Sequence, residues 1–252
     1  MIQTGHGAVY SLLFGLKSLL KLKIWNIASK RKMMSNNILV IGVAGGTGSG
    51  KTTIATGLLN RLKELRISTE IIMMDSYYRN LSNLSFDERA KTNFDHPASL
   101  EIDLLVQHVK ELKNGIGIDV PIYDFEQHQR KHQVTRLDPP TVLILEGILL
   151  FVDQKLRDLI DIKVFVEASA DVRFIRRLKR DVVERGRSVD QICSQYLETV
   201  RKMHEEFVEP SKIHADLIVP NVEPDDPDVL LDLLTSRALS NGLSHPNKRL
   251  KG

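Results

Sequence analysis

The sequence has little cysteine, few aromatic residues and no long apolar run. Cys193 is the only cysteine among 252 residues, so no disulfide can form within the chain, which is typical of a reducing compartment. Lysines interrupt the apolar stretch of residues 11–27, which makes it too polar to span a bilayer. The same stretch lacks the clean apolar centre and small-residue cleavage pattern of a secretory signal.

Acidic residues are absent from residues 1–36, which nevertheless carry six basic ones: Lys17, Lys21, Lys23, Lys30, Arg31 and Lys32. The net charge of the whole chain is +3, which leaves −3 for residues 37–252. The body of the chain is therefore mildly acidic, and the charge balance predicts no nucleic-acid partner.

The extension of residues 1–36 has leucines at helical spacing with lysines on the other side. Two interpretations stay open. Translation could start at Met33 or Met34, or the extension could be a surface or targeting helix, which would make an otherwise cytoplasmic protein organellar. Because the first strand pattern begins only at Ile38, we expect the extension to be poorly ordered or dispensable, and we expect no membrane contact for the core.

Apolar segments of strand length alternate with helical patterns from residue 37 to residue 238. The predicted strands are 38–44, 69–74, 141–146, 161–168 and 215–220. The predicted helices are 51–66, 99–113, 170–186, 188–207 and 226–238. Continuous rather than alternating apolar runs are typical of strands buried on both faces. The pattern predicts one α/β domain with a parallel sheet flanked by helices on both faces.

Two segments depart from this alternation. Residues 120–137 are polar and aromatic, which predicts a β-hairpin or another ordered insertion. Residues 239–252 have no periodicity, which predicts a disordered tail.

A glycine-rich stretch, "GVAGGTGSGKTT", directly follows the first predicted strand. Its Gly-x4-Gly-Lys-Thr core matches a phosphate-binding loop of the P-loop NTPase fold, whose backbone N–H groups surround a nucleotide's phosphates. We expect its glycines to supply positive φ and to leave out a Cβ, Lys51 to approach the β- and γ-phosphates, and Thr52 to offer a hydroxyl to Mg²⁺. The predicted nucleotide-binding residues are Gly45, Gly46, Thr47, Gly48, Ser49, Gly50, Lys51, Thr52 and Thr53.

A carboxylate lies at the end of each of the next two predicted strands along the chain. Asp75 follows the second predicted strand, where it could take a proton from an attacking hydroxyl and help to hold Mg²⁺, or could merely cap the next turn. Glu146 ends the third predicted strand and suits a Mg²⁺ site, directly or through water. Most motor ATPases have aspartate and then glutamate there, but Gly147 follows Glu146. No Asn-Lys-x-Asp segment for guanine is present either, so a small-molecule kinase is favoured.

Arginines crowd the predicted helix 170–186. Arg173, Arg176, Arg177 and Arg180 share one helical face, and the stretch ends in "ERGR". Such a face is often solvated, or it pairs with acids such as Asp171, Asp181 and Glu184. Beside a phosphate loop, it favours an arginine-rich helical lid that neutralises a transferring phosphoryl group.

The chain resembles the uridine kinase (uridine–cytidine kinase) family, in its compact bacterial form. The matching pieces run in order from about residue 38 to residue 220: "GVAGGTGSGKTT", "MDSYYRNL", "KTNFDHPASLEIDLL", "VPIYDFEQHQR", "LEGILLF", "RFIRRLKRDVVERGRS", "QICSQYLETVRKMHEEFVEPSK" and "ADLIVP". The combination is far more specific than the phosphate loop alone.

The resemblance implies a role for each matching position. Asp75 is expected to activate the nucleoside 5′-hydroxyl, and Asp95 to hold the ribose 2′- and 3′-hydroxyls. Surface exposure of His128 and turn capping by Asp95 are the simpler alternatives. The further implied contacts are Tyr123 and His128 to the base, Arg187 and Gln195 to the nucleoside, and Arg177, Arg180 and Arg185 to phosphates, with Arg177 also near the substrate.

The implied activity is transfer of a phosphoryl group from ATP, or GTP, to uridine and cytidine, with Mg²⁺. The resemblance also implies a homotetramer in pyrimidine salvage. Two alternatives stay open: another P-loop kinase, such as phosphoribulokinase or pantothenate kinase, and a non-catalytic or membrane-associated nucleotide-binding protein. The second has only the amphipathic extension in its favour.

Overall fold

The computed structural model describes residues 38–220, 232 and 234–236. The predictions for the extension 1–36 and the tail 239–252 lie outside these residues, as does most of the predicted helix 226–238, of which residues 232 and 234–236 are helical. Between residues 38 and 220, the structure confirms the predicted alternation of strands and helices.

Five parallel strands form the main sheet, in the order β2-β5-β1-β6-β7. A separate antiparallel pair, β3 and β4, forms the predicted hairpin and begins two residues before the expected start. The strands are β1 (Leu39–Ala44), β2 (Thr69–Met73), β3 (Ile118–Asp124), β4 (Gln129–Leu137), β5 (Val142–Gly147), β6 (Ile162–Glu167) and β7 (Leu217–Pro220).

Helices cover both faces of the sheet, and none of those in the described part of the chain is long and apolar enough to cross a membrane. They are α1 (Lys51–Glu64), α2 (Phe86–Ala90), α3 (Ile102–Lys113), α4 (Gln154–Arg157), α5 (Ala170–Arg185), α6 (Val189–Gln195), α7 (Arg201–Met203) and α8 (Glu209–Ser211). Short 3₁₀ turns occupy Met74–Tyr77, Pro97–Ser99 and Lys212–His214.

Strand β1 lies at the centre of the sheet and all six of its residues are buried. Its side chains alternate between two apolar cores. Leu39, Ile41 and Val43 face the core that contains α1, whereas Val40 and Ala44 face the core that contains α3 and the hairpin. Burial on both faces explains why the strand has a continuous apolar sequence.

The carboxyl ends of three neighbouring strands bring the predicted site together. The glycine loop follows β1, and Asp75 lies in the 3₁₀ turn after β2. Glu146, near the end of β5, is paired in register with Val43 of β1 and Met73 of β2. In a parallel sheet these ends share one edge, which is where such folds bind ligands.

Helix α5 packs directly against the glycine loop. Gly48 has φ +76°, and a Cβ on it would lie 2.2 Å from the Arg173 carbonyl oxygen. A Cβ on Gly46 would lie 2.7 Å from Nη1 of Arg173 and 2.9 Å from the His204 ring. Gly45, Gly48 and Gly50 have positive φ, as expected. The same expectation is wrong for Gly46, which instead packs closely against the side chains of Arg173 and His204.

The predicted helix 188–207 is not a uniform α-helix. After α6 it contains two π-helical turns, Tyr196–Val200 and His204–Val208, with α7 between them. Such wide turns recur at functional sites and change which side chains face inward. The second turn carries His204, which packs beside Gly46.

Alanine substitution at two glycines should separate backbone strain from helix docking. Gly186 has φ +61° with nothing within 4 Å of a Cβ, so Gly186→Ala should cost only the left-handed conformation, about 1–2 kcal/mol. That cost lowers Tm by roughly 2–8 °C. Gly48→Ala adds a clash with the α5 backbone, so its Tm should fall further in a thermal unfolding scan. Equal Tm values for the two variants would contradict the close docking of α5.

Candidate active site

The glycine loop leads directly into a helix. Gly50 is the residue before α1 and has φ 90°, and Lys51 begins the 14-residue helix. The Ser49 backbone N–H donates to the Gly46 carbonyl at 3.0 Å, which closes the loop. A helix N-terminus with free N–H groups attracts anions, so this loop can hold phosphate groups.

The loop's cation and hydroxyl share one carboxylate. Lys51 Nζ lies 3.5 Å from Glu146 Oε1, and the Thr52 hydroxyl donates to Glu146 Oε2 at 3.2 Å. Burial raises the pKa of Glu146, while the Lys51 charge opposes that rise. Two of the three predicted Mg²⁺ residues, Thr52 and Glu146, are therefore in contact.

The donor set fits Mg²⁺ bound together with nucleotide phosphates. Among residues 38–220, 232 and 234–236, no group of three His, Cys, Asp or Glu side chains could hold a metal ion alone. Mg²⁺ usually takes one or two carboxylates, with phosphates and water as its other ligands. Glu146, Thr52 and the nearby Asp75, whose charge contributes to raising the pKa of Glu146, meet that requirement.

Asp75 lies beside a buried tyrosine that the sequence did not single out. Burial, the charges of Asp75 and Asp95, and a hydrogen bond to Asp75 hold the pKa of Tyr78 well above its ordinary value. The Tyr78 hydroxyl therefore stays protonated and can donate to Asp75, which fixes the carboxylate near the end of β2. The motif "DSYY" was the available signal, since it puts a tyrosine three residues after the aspartate.

Asp95 faces the same space as Asp75. Burial raises the pKa of Asp95, the Arg177 guanidinium opposes the rise, and the Asp75 charge adds to it. The simpler alternative for Asp95, capping of the turn before His96-Pro97, is not what the structure shows: Asn93 caps that turn, and its Oδ1 accepts the Asp95 N–H at 3.2 Å. The Asp95 carboxylate is thus left for another role.

Aromatic rings line the acceptor side of the site. Tyr78 packs edge-on against Phe94 at 5.0 Å and against Tyr123 at 5.1 Å between centroids, and Phe125 packs on Tyr123 at 5.2 Å. The Tyr123 hydroxyl is buried and has no hydrogen-bond partner within the described residues. A buried polar atom without a partner is costly, so this hydroxyl is suited to a bound ligand.

His128 stands at the hairpin tip with φ 49° and stacks on Phe94, the ring centroids 5.5 Å apart and the planes 14° from parallel. Burial lowers its pKa, and the charges of Arg187, Arg89 and Arg185 lower it further. The ring is therefore neutral at pH 7 and can both donate and accept a hydrogen bond. This packed position does not fit the alternative of a plain surface histidine.

Arginines of helix α5 and of the segment after it contact both the glycine loop and Gln195. Arg177 donates to the Thr47 hydroxyl at 3.2 Å and to Gln195 Oε1 at 2.9 Å. Arg187 donates to the same Gln195 oxygen at 2.8 Å. The two guanidinium groups together hold the Gln195 side chain by its oxygen.

Arg180 and Arg185 meet Asp181 rather than the glycine loop. Arg180 Nε and Nη2 donate to Asp181 Oδ1 at 2.9 and 2.8 Å. Arg185 lies 3.6 Å from that oxygen and 5.3 Å from the centroid of the Phe125 ring on the hairpin. The simpler alternative of pairing with Asp181 is therefore observed, and contact of these two arginines with phosphates stays a prediction.

Among the residues predicted to bind nucleotide, Thr53 has no observed contact with the rest of the site in the described part of the chain. It is exposed on α1, and no hydrogen bond within the described residues joins it to the rest of the site. Hydrogen bonds, an ion pair and neighbouring charges join most of the other predicted residues: Thr47, Lys51, Thr52, Asp75, Asp95, Tyr123, Glu146, Arg177 and Gln195.

Sequence patterns alone missed His204 as a neighbour of the loop, whereas Arg173 was one of the arginines of the predicted lid. Arg173 is buried and donates from Nε to the Ala168 carbonyl at 3.1 Å. Burial, and then the Arg173 charge, lowers the pKa of His204 to about 4, so the ring packs as a neutral group. The two lie far apart in sequence, and the π-helical turn that moves His204 inward leaves no simple signature.

The family model described as "Phosphoribulokinase / Uridine kinase family" matches residues 40–227. The chain belongs to this family. Curated uridine kinases are similar to it over most of their length. The protein of Clostridium tetani is 50% identical over 188 residues, covering 74% of this chain and 88% of the relative. That of Streptococcus gordonii is 46% identical over 204 residues, covering 81% and 95%.

Solved structures of other kinases share the fold at low sequence identity. Phosphoribulokinase from Rhodobacter spheroides has a TM-score of 0.59 at 16% identity, covering 77% of this chain and 74% of that one. D-glycerate 3-kinase from Cryptococcus neoformans has a TM-score of 0.54 at 18% identity, covering 75% and 87%. These likenesses establish the P-loop kinase fold.

Lys51→Ala should abolish phosphoryl transfer, because it removes the charge that is expected to approach the β- and γ-phosphates. Turnover measured as ADP release should fall well below a tenth of the wild-type rate. The exposed Lys63, on the same helix, gives the control Lys63→Ala, which should turn over normally. A Lys51→Ala rate above a tenth of wild type would exclude the loop as the nucleotide site.

Proposed function

We propose that this protein transfers the terminal phosphoryl group of ATP to the 5′-hydroxyl of uridine, and of cytidine, to give UMP and CMP. The observation that carries the proposal is the joint placement of Asp75, Asp95 and the Tyr123 hydroxyl around one space beside the glycine loop. The curated uridine kinases at 45–50% identity support the same substrate.

The donor half of the reaction uses the glycine loop. Its backbone N–H groups and Lys51 bind the phosphates of ATP, or of GTP as the alternative donor. Thr52, Asp75 and Glu146 are the residues proposed to hold Mg²⁺, which when bound neutralises charge on the phosphates. Arg177, which donates to Thr47 on the loop, is close enough to add a positive charge on the acceptor side.

The acceptor half uses groups matched to a nucleoside. Asp75 takes the proton of the attacking 5′-hydroxyl, and the Tyr78 hydroxyl keeps its carboxylate oriented. Asp95 accepts hydrogen bonds from both hydroxyls of the ribose diol, for which a carboxylate with two oxygens is suited. The Tyr123 hydroxyl, the His128 ring and the Gln195 amide then meet the edge of the base.

Other acceptors known from the family fit these surroundings less well. Ribulose 5-phosphate and pantothenate have no flat ring to place against aromatic side chains. Phe94 and Phe125 offer such surfaces, and stacking on aromatic rings suits a pyrimidine. The aromatic lining therefore favours a nucleoside over phosphoribulokinase or pantothenate kinase activity.

The assembly, location and pathway follow from the family resemblance rather than from any contact within the chain. We include in the proposal a homotetramer, a cytoplasmic location and a role in pyrimidine salvage. Size-exclusion chromatography with light scattering measures the first directly.

A coupled ADP-release assay across uridine, cytidine, pantothenate and ribulose 5-phosphate tests the proposal. Uridine and cytidine should give turnover dependent on both nucleoside and Mg²⁺-ATP, while the other two acceptors should give only background. Turnover that is faster with pantothenate or ribulose 5-phosphate would contradict a nucleoside acceptor.

Substitution of the two aspartates should change different kinetic constants. Asp75→Asn keeps the shape of the side chain but removes the base, so kcat should fall by roughly 10²–10⁴ while ATP still binds. Asp95→Ala removes hydrogen bonds to a charged acceptor, each worth about 1.5–3 kcal/mol at most, so its main effect should be a higher KM for uridine. Steady-state kinetics of both variants measures the division.

A substrate without the diol provides the matched control. 2′,3′-Dideoxyuridine should be much poorer than uridine for the wild type, and nearly equal to uridine for Asp95→Ala. Loss of kcat in Asp95→Ala at saturating uridine, with Asp75→Asn close to wild type, would mean that the two roles are exchanged.

A further inference from the structure

Asp181 is a fully buried carboxylate surrounded by arginines. None of its surface is exposed, although a lone buried charge is strongly unfavourable. Four guanidinium groups lie within 3.6 Å of its oxygens. They belong to Arg177, Arg180, Arg185 and Arg187.

The arginines around Asp181 point to both halves of the site. On the nucleotide side, Arg177 reaches from Asp181 to the Thr47 hydroxyl of the glycine loop. On the acceptor side, Arg187 reaches from Asp181 to Gln195, and Arg185 reaches to the Phe125 ring of the hairpin. One carboxylate therefore contacts arginines that reach the glycine loop and arginines that reach Gln195 and the hairpin.

Electrostatics makes these contacts interdependent. Positive charges packed this closely in a site of low dielectric repel one another, and a single negative charge at their centre offsets much of that repulsion. Burial lowers the pKa of Arg177, the charges of Asp95 and Asp181 oppose that fall, and the charges of Arg180 and Arg187 add to it. A phosphate that binds Arg177 or Arg180 therefore changes the strength of the interaction of Asp181 with Arg187 and Arg185.

We propose that Asp181 is a positioning residue that couples nucleotide binding to nucleoside binding by holding both sets of arginines on one buried carboxylate. The inference rests on the proposed function, because it takes a nucleoside as the second ligand. Asp181 itself contacts neither ligand, and it acts through Arg177 and Arg187.

The test measures how much uridine tightens nucleotide binding. The Kd of a non-hydrolysable ATP analogue with Mg²⁺ is determined by calorimetry, with and without saturating uridine. In the wild type, uridine should lower this Kd by at least about fivefold, at the lower end of typical coupling. Asp181→Asn keeps the shape but removes the charge, and its coupling ratio should be close to one.

Glu184→Gln is the matched control. Glu184 is an exposed carboxylate on the same helix, so the change removes an equal charge without touching the arginine cluster. Its coupling ratio should equal that of the wild type. If the loss of any negative charge from α5 lowered the coupling ratio, both variants would show it. The comparison therefore separates positioning by Asp181 from a general electrostatic effect.

The remaining outcomes are decisive as well. A wild type that phosphorylates uridine without coupling, or an Asp181→Asn protein that keeps the wild-type ratio, overturns this inference and leaves the proposed function standing. A wild type that does not phosphorylate uridine overturns the proposed function, and the inference then loses its second ligand and fails too. If Asp181→Asn does not fold, Asp181→Glu, which keeps the charge but shifts the carboxylate, decides: a reduced ratio supports the inference, and a wild-type ratio contradicts it.

Discussion

The close contact between helix α5 and the glycine loop is the constraint on which the rest of the site depends. The Arg173 carbonyl occupies the space where a side chain at Gly48 would stand, and Nη1 of Arg173 does the same at Gly46. Because a side chain at Gly48 would clash with the α5 backbone, this glycine is required for helix docking as well as for the conformation of the loop. Arg173 and Arg177 of α5 are thereby held beside the loop.

From this contact, the distribution of charge across the site follows. Lys51 and Thr52 meet Glu146 on the loop side, and Arg177 lies between the loop and Asp95. Positive and negative groups thus alternate from the nucleotide side to the acceptor side. A preorganised arrangement of this kind can stabilise the charge of a transferring phosphoryl group without first reorganising solvent.

Much of the fold could be predicted from the sequence because its strands are buried on both faces and give continuous apolar runs. The places of the glycine loop and of Glu146 could also be predicted, because both lie at the ends of predicted strands. The φ of Gly46 and the packing of His204 beside it could not be predicted, since both depend on contacts between segments distant in sequence. Pairing of the arginines with Asp181 was one of two alternatives that the sequence left open, but its complete burial could not be predicted. Tyr78 lay within a recognised motif, but only the structure shows its hydroxyl beside Asp75.

A crystal structure of the complex with uridine, Mg²⁺ and a non-hydrolysable ATP analogue is the measurement that tests the central claim most directly. The account predicts the uridine 5′-oxygen within hydrogen-bond reach of the Asp75 carboxylate, about 2.6–3.2 Å, and in line with the terminal phosphate on the loop. It also predicts the ribose diol on Asp95 and the base among Tyr123, His128 and Gln195. A nucleoside bound with its 5′-oxygen away from Asp75, or outside the space between the loop and the hairpin, would contradict the account.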